Sequence, residues 1–381
     1  MKLKILIISL SEIHRDPRVI RQILFLKNEY ELTVIGLTSS GIEGVNYIPF
    51  PAKPANNLLI KLEEAFLATL GFFDYLYWKQ KNIKTLKNTL LDLKEKPDFI
   101  LSNDVQVLAL ASFFSKRWNA DLVADLHEYA PLELENILIW KLRYKRYYYA
   151  LLKKNLSNAK YVTTVCESIK NKLKTEFNIN STVLTSAPEY EELLPSKVDE
   201  NKIKIIHHGG AMRSRYIHLM IDMLQFLGER FELYLMLIDT DPGYLDELKQ
   251  LSLKNPRIHF LPPVPTVQIA SFINQFDIGL FLLPPVNFNY RIALPNKFFE
   301  FVQARLCIAI GPSVEMASLT KQYDLGVVAS DFTPRSLADQ LNKLTAVQIM
   351  KYKINSESAA SELSADKNRN LLLDIFKNCK Q

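Results

Sequence analysis

Short apolar runs separated by amphipathic stretches recur along the whole chain, and this alternation restricts the fold more than any other feature. In the first half the runs are KILIIS (4–9), YELTVIGL (30–37), FILS (99–102), LVADL (122–126) and YVTTV (161–165). Between them PRVIRQILFLK (17–27) and the segments Val105–Lys116 and Leu132–Asn155 carry apolar residues at helical spacing. Strands that lack polar alternation are buried on both faces, and strand–helix–strand units lay their strands parallel. The pattern pauses at APEYEELLPSKVDENK (187–202), a polar, acidic, proline-bearing segment that reads as a linker.

A second series follows: IKIIHHGG (203–210), ELYLMLI (232–238), RIHFL (257–261), DIGLFLL (277–283), CIAIG (307–311) and LGVVA (325–329). YIHLMIDMLQFLG (216–228) and TVQIASFINQF (266–276) are helices of that series, and the chain from Ser336 to Lys380 reads as helical. The expected architecture is α/β, with two Rossmann-like doubly wound domains facing a cleft that is the default binding site. The expected divisions are a first domain over 1–188, a linker over 189–202, a second domain over 203–340, and C-terminal helices over 341–381 that cap the second domain or cross back to the first.

The 381 residues suffice for two such domains. A net charge of +6 favours anionic partners such as nucleotides or acidic lipid, but no nucleic-acid motif accompanies it. Cys166, Cys307 and Cys379 are far apart in sequence and form no zinc-type pair, which suits a reduced, cytoplasmic setting. The apolar N-terminal run, Ile5 to Leu10, is too short for a signal peptide and reads as a buried strand. No run reaches the roughly 18 residues of a spanning helix.

Two turns carry the chemistry. In HHGGAMRSRY (207–216), Gly209 and Gly210 allow a tight turn and close approach of a ligand, and Arg213 and Arg215 stand at the start of the next helix. In RIALPNKFFEFV (291–302), Pro295 and Asn296 open a helix with Lys297 in its first turn, where the helix dipole repels a cation. A bound diphosphate between the two turns would reverse that repulsion. Glu300, one turn further on, would then accept hydrogen bonds from sugar hydroxyls; its plain alternative is a capping role. In DTDPGY (239–244) the aspartates read as a helix start and not as metal ligands.

These segments resemble the GT-B glycosyltransferases of family 4. The resemblance lies in LPNKFFEFVQARLCIAIGP (294–312), in HHGG followed by arginine, in DLHEYAP (125–131) and in the opening ISLSEIHRDPRVIRQI (8–23), in the family's order. It implies a nucleotide-sugar donor held by the second domain without metal or other cofactor, and retaining transfer by front-face attack. Arg215 resembles the family's diphosphate-binding cation, assisted by Lys297, and Glu300 resembles the glutamate that contacts the ribose. The family's preceding glutamate is replaced by Ile292, and Asn289, Tyr290 and the Ala293–Leu294 backbone are the residues available instead. Gly210 is a second departure, at a position where many relatives carry arginine. His127 corresponds to a residue that approaches the transferred sugar, with Glu128 beside it; a histidine bonding a loop backbone is the alternative. Asp16, Arg18 and Asp104 are assigned to loops of the first domain on the acceptor side, and Glu128 is assigned to the same side.

The acceptor implied is a glycan or a polyprenyl-linked sugar of surface polysaccharide synthesis. Between Asn136 and Lys160 there are seven lysines and arginines and no acid, with Trp140, Tyr144, Tyr148 and Leu151 at helical spacing. Such a helix suits an anionic membrane surface, as does the aromatic stretch NLLIKLEEAFLATLGFFDYLYW (57–78) upstream. A core-facing helix with a solvated basic face is the alternative. Two other functions fit the sequence: a nucleotide-sugar-binding protein without transfer, motivated by Ile292, and a sugar-nucleotide epimerase of the same fold.

Overall fold

The computed structural model describes residues 2–51 and 58–379, with side chains from 63 onward in the second stretch. Asn57, the side chain of Lys61 and Lys380, each part of a segment discussed above, lie outside these residues. The chain divides into two compact units, Met1–Thr185 with Asn368–Gln381, and Ser186–Lys367.

The first unit holds seven strands: β1 (Lys4–Ile8), β2 (Glu31–Gly36), β3 (Asn46–Pro49), β4 (Phe99–Asn103), β5 (Asp121–Leu126), β6 (Tyr161–Thr164) and β7 (Thr182–Val183). They form one parallel sheet in the order β3-β2-β1-β4-β5-β6-β7. Its inner strands are the apolar runs of the sequence; β4 is buried at every residue. The two edge strands, NYIP and TV, were not expected, because a short half-exposed strand needs no apolar run.

The second unit holds β8 (Ile203–Ala211), β9 (Phe231–Asp239), β10 (Ile258–Leu261), β11 (Ile278–Phe281), β12 (Cys307–Ile310) and β13 (Gly326–Val328). They also run parallel, in the order β10-β9-β8-β11-β12-β13. Ile205, Leu233, Leu235, Leu280 and Ala309 fill its core. In each sheet the order reverses beside the first strand: between β1 and β4, and between β8 and β11. The C-terminal ends of strands at such a reversal are where open α/β sheets take ligands.

Four expectations are corrected. β8 continues in register through both glycines, pairing Gly209 with Leu237 and Gly210 with Ile238, so the chain turns only after Ala211. It then passes through a 3₁₀ turn, Arg213–Arg215, to a short helix at His218–Asp222, not a long helix from Tyr216. The basic helix begins at Leu138, not Leu132, and runs to Asn155. The segment 187–202, read as a linker, is fastened to the second unit: Gln303 Oε1 accepts from the Glu191 N–H at 3.1 Å and Lys353 Nζ donates to Ser196 Oγ at 2.8 Å. The last helix, Ala365–Cys379, packs Phe376 against Phe99 and Tyr30 of the first unit, with ring centroids 5.4 and 5.8 Å apart. Among the described residues no helix is long and apolar enough to cross a membrane.

Candidate functional site

The order reversal of the second sheet is where the two predicted cations meet. His207, at the middle of β8, donates from Nδ1 to the Leu280 carbonyl of β11 at 2.9 Å. Its other nitrogen, Nε2, is therefore an acceptor, and Lys297 Nζ lies 3.5 Å from it. The same ammonium stands 4.4 Å from the centre of the Phe281 ring. Lys297 is buried because its helix, Asn296–Gln303, is buried at every residue after the first. Burial, and then the charge of Arg215, push the Lys297 pKa well below its ordinary 10.5, while Glu300 opposes the shift.

Gly209 explains why the two cations can approach. Its φ of +123° lies where side chains are rarely tolerated, and a Cβ built there would be 3.1 Å from Lys297 Nζ and 3.8 Å from Arg215 Nη1. The space left by the missing side chain is thus lined by both cations. Among the described residues no carboxylate lies within ion-pair distance of either. Like charges held together without a counter-ion cost free energy that a bound anion would offset.

Glu300 is buried one turn after Lys297, with Oε2 3.3 Å from His208 Nε2. Burial and the Lys297 charge lower the His208 pKa to about 3, so this is a contact with a neutral ring, and it lacks hydrogen-bond geometry. Asn289 sits on the helical turn Phe288–Arg291, and Tyr290 of that turn donates its hydroxyl to Ser214 Oγ at 3.0 Å, between the two arginines. Ile292 and Leu294 are buried, and Asn296 is half-buried at the start of the Lys297 helix.

Two predicted residues are placed elsewhere. Arg213 is exposed and turns away to Asp241 (Nη1 to Oδ1, 3.0 Å) and to Glu247. Two carboxylates already neutralise it, and it occupies one aspartate of the DTDPGY segment. Gly210 makes room for Thr240, whose Oγ1 would be 2.9 Å from a Cβ there. Among the described residues no group of three or more His, Cys, Asp or Glu side chains is placed to hold a metal ion.

In the first unit the predicted residues gather around Asp125, which the sequence reasoning left unassigned. Asp125, at the end of β5, is fully buried and accepts from Arg18 Nε and Nη2 (2.7 Å each), Gln22 Nε2 (2.7 Å) and Thr163 Oγ1 (2.7 Å). Burial alone would raise its pKa, but Arg18 and His127 outweigh it and hold the group ionised. A carboxylate inside an apolar strand was the available signal, since a buried charge requires partners. Arg18, expected in an acceptor-side loop, is instead buried in the helix Pro17–Leu26, and its Nη1 also donates to the Leu184 carbonyl at 2.8 Å. Asp16 caps that helix, accepting from the Arg18 and Val19 N–H groups.

His127 follows this strand and lies between acids. Its Nδ1 is 3.2 Å from Asp104 Oδ2, and its Nε2 is 3.1 Å from both Asp125 Oδ2 and Asn103 Oδ1. Burial opposes its charge, yet the two carboxylates raise its pKa above the ordinary 6.5. Carboxylate oxygens facing both nitrogens favour the protonated ring over the neutral base. Asp104 takes a φ of +65° and its Oδ1 accepts from the His127 N–H at 2.8 Å, so the strained residue holds the histidine loop. Glu128, the next residue, is exposed.

Neither protein-family models nor curated proteins match the chain. Solved structures do. Sucrose-phosphate synthase from Thermosynechococcus elongatus is similar with a TM-score of 0.76 at 11% identity, covering 99% of both chains. HepE from Anabaena, solved with UDP and glucose, gives 0.69 at 13% identity over 99% of this chain and 100% of that one. WaaG, a glycosyltransferase involved in lipopolysaccharide biosynthesis, gives 0.63 at 13% identity over 97% and 99%. The chain therefore has the GT-B fold, with two Rossmann-like domains, that the sequence resemblance implied.

Proposed function

We propose that the protein is a retaining glycosyltransferase that moves a sugar from a nucleoside-diphosphate sugar to a glycan or lipid-linked acceptor of a surface polysaccharide. The observation that carries this reading is the convergence of Lys297 and Arg215 on Gly209, two cations without carboxylate partners. A diphosphate fits that charge, and the similar HepE and WaaG point to UDP-sugars and lipopolysaccharide as the chemical neighbourhood. Glu300 would accept from the ribose hydroxyls, and Asn289, Leu294 and Asn296 would border the donor.

In the reaction the bond from the sugar's anomeric carbon to the diphosphate oxygen breaks, and a bond to the acceptor oxygen forms on the same face. The acceptor proton passes to the leaving diphosphate. The protein supplies orientation and stabilises the charge on the leaving group through Lys297 and Arg215, so the scheme needs no metal. His127, with its charged form favoured by Asp104 and Asp125, would contribute positive charge. We place the enzyme in the cytoplasm at the inner membrane face: Leu138, Ile139 and Leu142 of the basic helix are 64–69% exposed.

The test is thermal shift against UDP-, GDP- and ADP-sugars, followed by a transfer assay with the donor that responds. Lys297→Ala and Glu300→Ala should lower turnover while the melting temperature is kept. Binding of a donor with neither transfer nor slow donor hydrolysis would favour a non-catalytic binding protein, the reading that the buried Ile292 in place of a glutamate supports.

A further inference from the structure

The first unit has its own cavity at the order reversal of its sheet. Its volume is ≈ 450 Å³, within the range that encloses most of a small organic molecule. Leu10 and Leu37, just beyond the ends of β1 and β2, and Gln106, just beyond β4, form its floor. Tyr144, Tyr147 and Tyr148 of the helix Leu138–Asn155 form one wall, and Leu76 and Ala68 face it from the helices Phe73–Lys79 and Leu58–Thr69. The Tyr147 hydroxyl is taken up by Gln80 Nε2 at 3.0 Å, and burial keeps the Tyr147 and Tyr148 phenols protonated. Glu64, Asn82 and Arg143 also line it, and apolar and aromatic side chains make up the larger part.

The same three helices carry apolar side chains on the outside. Phe66, Tyr75 and Leu142 are 64%, 57% and 66% exposed. Beside them Lys141 and Lys145 have no carboxylate within ion-pair distance among the described residues. A largely apolar cavity beneath helices that also expose apolar side chains, with Arg143 in its lining and Lys141 and Lys145 on the same helix, suits a hydrocarbon chain bearing an anionic phosphate.

We infer that this cavity binds the hydrocarbon chain of a phospholipid-like acceptor, a chain linked through phosphate to the sugar that is extended. The inference rests on the transferase reading and names its acceptor class. It is tested by calorimetric titration of hexyl, octyl, decyl and dodecyl phosphate, each below its micelle concentration. Affinity should rise about fourfold per added methylene and level off once the cavity is full. Ala68→Trp and the less buried Leu37→Trp should each weaken dodecyl phosphate binding at least about tenfold while melting temperature and nucleotide binding stay. Equal affinity for all four phosphates, or unchanged binding in both folded variants, would overturn the inference. If nucleoside diphosphate still binds in that case, the transferase reading stands and only the chain site falls. Saturable chain binding without any nucleotide binding would support the cavity and remove the transferase reading.

Discussion

Gly209→Ala is the substitution whose consequence the geometry defines best. The residue sits at φ +123°, so an alanine is strained by about 1–3 kcal/mol, a fall of several degrees in melting temperature for a domain of this size. The new methyl would also stand 3.1 Å from Lys297 Nζ and 3.8 Å from Arg215 Nη1, in the space that an oxygen bridging the two would occupy. Charge-assisted hydrogen bonds reach about 2.7–2.9 Å, so one of the two contacts is lost. Such a bond is worth about 1.5–3 kcal/mol, which predicts nucleoside-diphosphate affinity lowered about 10- to 150-fold. Calorimetric titration with UDP or GDP reads the affinity, and a melting curve without ligand reads the strain separately. A Gly209→Ala protein that melts lower but binds the diphosphate as tightly as wild type would refute the reasoning.

Other outcomes follow from the same structure. Arg213→Ala should leave diphosphate affinity unchanged, whereas Arg215→Ala lowers it, because only Arg213 is neutralised by Asp241 and Glu247; equal losses in paired titrations would contradict this. Diphosphate binding should take up a proton at pH values above the depressed pKa of Lys297, since a bound anion raises that pKa again. Calorimetry in two buffers of different ionisation enthalpy reads that proton, and Lys297→Met should abolish it. Asp125→Asn leaves Arg18 buried without its counter-ion and should cost about 3–5 kcal/mol in denaturant unfolding. The Asp125 pKa is depressed in the folded state, so its contribution is present above the unfolded carboxyl pKa of about 3.9 and is lost as pH falls. The variant should therefore show a flatter loss of stability in acid.

The inner strands were legible because a parallel strand covered on both faces must be apolar throughout, as in Phe99–Asn103 and Cys307–Ile310. Edge strands such as Asn46–Pro49 are free of that demand and leave no run to read. Lys297 was conspicuous as a cation against the helix dipole, and its burial follows from the apolar FFEFV around it. The partner of Lys297 was also visible, but its neighbour Arg213 was not separable from Arg215 by sequence. Which arginine faces Gly209 depends on the 3₁₀ turn after β8, and that turn in turn directs Arg213 towards Asp241. The Arg18–Asp125 pair spans 107 residues and exists only because the sheet order brings the end of β5 to the first helix. Without that topology nothing in the sequence pairs Arg18 with Asp125. The 187–202 segment misled for a related reason: its polar composition is that of a linker, while its anchors, Gln303 and Lys353, lie far along the chain.

The central claim is that Lys297 and Arg215 jointly hold one diphosphate, and titrating UDP and uridine into Lys297→Met and Arg215→Met addresses it directly. UDP affinity should drop at least about tenfold in each variant, with uridine affinity and folding retained. Variants that bind UDP as wild type does, or that lose uridine to the same degree, would contradict the account.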